Sequence, residues 1–184
     1  MIGEDLGEDR QFAELLRAAG ALRPAYPASL GPADPKWRTI LSGLGEPVPR
    51  VHEIIYSRVS GTRREAPDQR LVDFFPGFRL IHIRELELET KNLERMGYPR
   101  LLPFLADYSS DYCCAAPGGA IVATDHELGV ETKHDSAARF LESMLSFYAN
   151  DVLFLDPNGM LDYHVEKYRE LAAELNPGVP YWAE

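Results

Sequence analysis

The sequence predicts an α+β domain, an antiparallel β-meander flanked by helices, and three observations carry that reading. "RLLPFLAD", "DYCCAA", "GAIVATD" and "GVETKHD" are strand-length runs that follow one another between residues 100 and 135, separated only by "YSS", "PG" and "HEL", spacings that suit tight turns. A capped helix comes next: Asp135 and Ser136 precede "AARFLESMLSFYAN", in which Phe140, Leu141, Met144, Leu145 and Tyr148 recur on one face. Other stretches of helical period lie on both sides of these elements, so helices flank the sheet.

In chain order, "RQFAELLRAAGAL" places Phe12, Leu15, Leu16 and Ala19 at helical spacing and leads into the Pro-rich "RPAYPASLGPADP". Residues 1–33 are therefore expected to form an N-terminal arm packing on a single domain over 34–184. Asp34 and Pro35 signal a helix start, Trp37, Ile40, Leu41 and Leu44 give it an apolar face, and Gly45 stops it. A second short helix is expected in "EPVPRVHEIIYSRVSG", with Val51, Ile54, Ile55 and Val59 at helical spacing and Ser60 and Gly61 closing the segment. "LVDFF" and "FRLIHI" are β-favouring runs around the Pro76–Gly77 turn. "RELELETKNLERMG" reads as a highly charged helix with Glu87 and Lys91 four residues apart and Gly97 at its end. Pro103 removes a ladder donor, which marks the first meander run as an edge strand or the site of a bulge. Residues 150–184 form a C-terminal helical extension: a turn, then a helix carrying Leu161, Val165, Tyr168, Leu171 and Leu175, ended by "NPG".

Composition narrows the functional classes. With 184 residues, 45% of them hydrophobic, the chain can bury one substantial core. No apolar run approaches the roughly 18 residues of a membrane span, and the start "MIGEDLGEDRQ" is acidic where a secretory signal would be basic and then apolar, so a soluble cytoplasmic protein is expected. The two Cys, Cys113 and Cys114, are adjacent, which suits neither a disulfide framework nor a CxxC motif. Net charge is −10, and all of the excess lies in the second half: residues 101–184 hold 14 acids against 4 bases, whereas 1–100 hold 15 of each. That distribution disfavours nucleic acid and anionic membrane as partners and suits a basic protein.

Taken together, "PVPRVHEIIYSRVSG", "LVDFFPGFRLIHIREL", "LLPFLADYSSDYCCAAPGGAIVATDHELG" and "SAARFLESML" resemble the SUKH superfamily, which includes bacterial immunity domains and yeast cell-wall-synthesis regulators. The likeness spans about residues 35–149, with Ser60–Gly61, Glu85–Leu86, Leu102 to Phe104, Asp111–Tyr112 and Asp125 to Glu127 in the family's characteristic places. "CCAAPGG" is shorter than the family's loops there, and the arm and tail lie outside the shared region. The resemblance implies a SUKH-like fold and a non-enzymatic binding module. Many of its bacterial members look like immunity proteins, which neutralise a toxin domain, frequently a nuclease, by stoichiometric binding.

Residues 106–136 concentrate the candidate chemistry. Asp107, Tyr108, Asp111, Tyr112, Asp125 and Glu127 are expected to gather near the turns at one sheet edge, mixing carboxylates with aromatic anchors as binding hot spots do; the bland alternative is half-buried Tyr with wet hydroxyls. His126 and His134, with Asp125, Glu127 and Asp135, offer metal-ligand types, but a hairpin of this length sets the two His at opposite ends, so ordinary surface or turn residues are the better reading. Alternation sends Cys113 and Cys114 to opposite faces with nothing in sequence to lower a thiol pKa, which favours inert Cys. "DPNGMLDYHVE" is a turn and helix cap, because Pro157 and the early Gly159 break the calcium-loop pattern. The expected function is thus toxin neutralisation through an acidic face, without catalytic residues, metal or cofactor. A cytoplasmic adaptor of the cell-wall-regulator type is the first alternative, and a small enzyme with scattered residues the second.

Overall fold

A computed structural model of the protein describes residues 5–45, 47–63, 65, 68–125 and 129–183. Among them no helix is long and apolar enough to cross a membrane. Helix α1 (Asp5–Leu22) buries the predicted Phe12, Leu15 and Ala19 against the later helix Ala137–Ala149. Arg23, itself buried, follows it, stacking its guanidinium 4.0 Å over the Tyr26 ring and donating from Nη1 to the Asp73 carbonyl at 2.7 Å. A cation is held there by a π face and a backbone dipole. The Pro-rich stretch contains a single helical turn, α2 (Tyr26–Ser29), and a strand, β1 (Leu30–Pro32). The first 33 residues thus supply core side chains and a strand.

After α3 (Trp37–Ser42) comes α4 (Arg50–Tyr56), which is shorter than the spacing of Val51, Ile54, Ile55 and Val59 predicts. Val59 opens a strand, β2 (Val59–Thr62), paired antiparallel to β1 with Gly31 opposite Gly61. The pairing partner lies some thirty residues upstream, and that long-range ladder overrides the local helical spacing. Gly61 has φ +95°, and a methyl group on it would overlap the Ile81 carbonyl oxygen. Gly77, at φ +80°, has open space around it. Gly61→Ala is therefore expected to cost about 3 kcal/mol or more and Gly77→Ala about 1 kcal/mol, read from urea midpoints; equal losses would show that the close approach at Gly61 is not what matters.

The main sheet has six strands in sequential antiparallel order: β3 (Asp73–Phe75), β4 (Phe78–Leu80), β5 (Leu102–Ala106), β6 (Tyr112–Ala115), β7 (Ile121–Asp125) and β8 (Gly129–His134). This is the predicted meander, extended by the β3–β4 hairpin over Pro76–Gly77. Pro103 lies in an interior strand and not at an edge, and a register shift between Pro103 and Leu105 accommodates it as a bulge. Helix α5 (Leu86–Arg95) buries only Leu86 and Leu93, pairs Lys91 with Glu87 at 2.6 Å, and ends before Gly97 at φ +95°. Helix α6 (Ala137–Ala149) is capped by Ser136, whose Oγ accepts from the Arg139 amide.

The C-terminal segment holds more than a turn and a helix. Strands β9 (Leu153–Leu155) and β10 (Leu161–Tyr163) form a hairpin before α7 (Val165–Leu175), and a short 3-10 turn spans Pro180–Trp182. Leu161 therefore sits on a strand. Val165 is exposed, and Ala172 is the residue α7 buries fully. The "DPNG" stretch is the hairpin turn, closed by Asp156, whose Oδ1 accepts from the Asn158 and Met160 amides at 2.8 Å.

Candidate binding cleft

The register of the sheet decides which side chains share a face. Leu105, Cys113, Ala123 and Glu131 stand opposite one another across β5 to β8, so they form one row, while Tyr112 and Cys114 point to the other side. The Tyr112 hydroxyl donates to Glu89 of α5 at 2.8 Å, and Glu89 also pairs with Arg79 at 3.2 Å. Tyr112 is 2% exposed, which corrects its assignment to the binding surface: alternation turns it into the core. Burial and the Glu89 carboxylate push its phenol up to about 12.

The row opposite faces a cleft of about 450 Å3, whose far wall comes from α6 and the C-terminal segment. Tyr168 is the hub of that wall, with ring centroids 5.0 Å from Phe147, 5.1 Å from Tyr163, 5.5 Å from Trp182 and 5.6 Å from Phe75. The wall is fastened to the sheet by Trp182, whose indole N–H donates to the Lys133 carbonyl at 2.7 Å, and by a buried joint around His134. Asn176 Nδ2 donates to the Ala172 carbonyl and the Ser143 hydroxyl, at 2.9 and 3.1 Å. Its Oδ1 consequently faces His134 at 3.0 Å, and the acceptor requires the imidazole proton to be on Nδ1. His134 is thus neither a surface nor a turn residue. Burial pushes its pKa down to about 4, against the opposing effect of the Asn176 hydrogen bond.

Asp107, Asp111 and Asp125 lie at the strand ends that line this cleft, and Glu131 joins them from β8. One Asp107 oxygen is already used: it accepts from the Ser109 and Asp111 amides, both at 2.7 Å, and closes the β5–β6 turn, where Ser110 takes φ +70°. Asp107→Asn keeps such an acceptor, whereas Asp107→Ala removes it and is expected to cost about 1 kcal/mol in urea unfolding; equal stability of the two variants would refute the capping role. Tyr108 is 63% exposed, accepting from Gln69 at 2.8 Å and donating to Asp73 at 3.3 Å, so its ring is held at the surface. Glu127 and His126 fall outside the described residues.

The other candidate chemistries find little support. Cys113 faces the cleft and Cys114 the core, as alternation requires. Burial pushes the Cys113 thiol up to about 12 even though the Lys133 ammonium pulls it down, so almost none is thiolate at neutral pH. Among the described residues, no three His, Cys, Asp or Glu side chains converge as metal ligands. A larger cleft of about 650 Å3 opens beside β1 and β2 near Ser60, His82 and Arg84, but none of the candidate binding residues read from the sequence lines it, and Arg84 is already paired with Asp34 at 3.0 Å. Glu131, Lys133 and the aromatic wall were missed by sequence reasoning. The usable signal for Glu131 and Lys133 was the strand alternation already applied to Cys113; the wall depends on long-range packing. No family model matches the chain, and no curated protein matches it.

Proposed function

We propose that the protein acts by stoichiometric binding, holding a basic partner protein against the acidic mouth of the cleft, and that it belongs functionally with immunity proteins that neutralise a toxin domain, with a nuclease domain as the class of toxin it suits. The observation that carries this reading is the convergence of Asp107, Asp111 and Asp125 with Glu131 around one aromatic-walled cleft. A phosphate-binding enzyme carries clustered cations to hold its substrate, and carboxylates presented together both steer the encounter and cover that surface. Tyr108, exposed and already oriented by Gln69 and Asp73, adds an aromatic contact beside the mouth. The weak thiol acidity and the SUKH resemblance support binding over catalysis. Tyr112 drops out of the binding set. Tyr112→Phe is expected to leave partner affinity within about twofold and to cost about 1 kcal/mol of stability. Titration calorimetry against the purified partner tests this, and a loss of tenfold or more in affinity would return Tyr112 to the interface.

A further inference from the structure

Lys133 is held in a socket that recognises an ammonium group. Its Nζ lies 2.8 Å from the centroid of the Tyr181 ring, 5.8 Å from that of Trp182 and 2.9 Å from Glu131 Oε2, with the side chain 16% exposed. An aromatic face and a carboxylate presented together in a partly desolvated cleft are the features that select Lys and Arg side chains. The sheet aims this side chain deliberately: Ile121 pairs with His134 and Val122 with Thr132, which leaves Lys133 as the extra residue of a bulge.

We infer that this socket is a receptor for a Lys or Arg side chain of the basic partner, and that Lys133 is its internal occupant, displaced on binding. The inference rests on the binding function proposed above and names what enters the cleft. Three observations favour exchange. The Lys133 backbone is held independently of its ammonium, through the Trp182 indole, so the side chain can leave while the strand stays in place. Tyr181 is 43% exposed, so this wall of the socket borders solvent. Asp107 and Glu131 line the same cleft as Lys133, and carboxylates beside the socket favour a cation as its guest.

The test is titration of the full chain with an acetylated, amidated tetralysine peptide at low salt, by calorimetry and by the NMR signals of the Tyr181 ring. Lys133→Met keeps the aliphatic stem and empties the socket, and it is expected to bind the peptide at least tenfold more tightly than the unaltered protein. Tyr181→Ala in the Lys133→Met background is expected to abolish that gain. Equal or weaker binding by Lys133→Met, with the peptide still bound, would overturn the socket and leave the acidic mouth standing. No binding by either protein would overturn the socket and count against the acidic mouth as well. Thermal unfolding of each variant confirms that it is folded.

Discussion

Acidification from pH 7 to pH 4 is expected to remove roughly 6 kcal/mol of folding stability, about 3 kcal/mol through each of two buried histidines. Burial lowers the pKa of His52 and His134 from 6.5 to about 4. His52 donates from Nε2 to the Pro103 carbonyl at 3.0 Å, and its Nδ1 is buried without a partner, so protonation would put a charge and an unmatched donor into the core. His134 already uses Nδ1–H on Asn176. Because the folded pKa lies below the unfolded one, the unfolded chain takes up protons first. The stabilisation is complete above pH 6.5, falls as pH drops towards 4, and changes no further below that. Urea unfolding at several pH values, with His52→Gln and His134→Gln each expected to halve the slope, checks it. Imidazole titration near 6.5 in the folded protein would refute it. The loss at His134 would also loosen α7 from the sheet, so binding at the cleft is expected to weaken over the same window.

The second large effect is on association. Asp111→Lys and Asp125→Lys combined with Asp107→Asn changes the mouth by five unit charges and keeps an acceptor for the β5–β6 turn. Steering by a charged face raises on-rates by about 10- to 1000-fold, so the triple variant is expected to associate about 100-fold more slowly at low ionic strength and to lose most of its salt dependence. Stopped-flow or surface-based kinetics separates this from a change in dissociation. An unchanged rate would show that the acids do not face the partner.

The meander, α5 and α6 were legible because each is a long pattern bounded by turn residues, such as Pro76–Gly77, or by a cap, such as Ser136. β1 and β2 were not, since they pair across some thirty residues with no tight turn between them, and β9 and β10 were not, since Leu161 also fits the helical spacing of the segment that follows. Val59 satisfied a helical spacing while its partner strand lay across the domain. The same limit shaped the site. Asp107, Asp111 and Asp125 could be grouped because they flank adjacent strands. The side on which Tyr112 points, and the place of Tyr163, Tyr168 and Tyr181 along the cleft that Cys113 lines, follow from register and from packing of the C-terminal segment.

The central claim, that a basic protein is held at the acidic mouth of the cleft, is tested most directly by purifying the tagged protein from its own host and measuring what remains bound to the unaltered chain, to the Asp107→Asn, Asp111→Lys, Asp125→Lys variant and to Tyr112→Phe. The account predicts one basic partner at one-to-one stoichiometry, released by high salt, lost from the triple variant and retained by Tyr112→Phe. Retention of the same partner by the triple variant at low and high salt alike would contradict it.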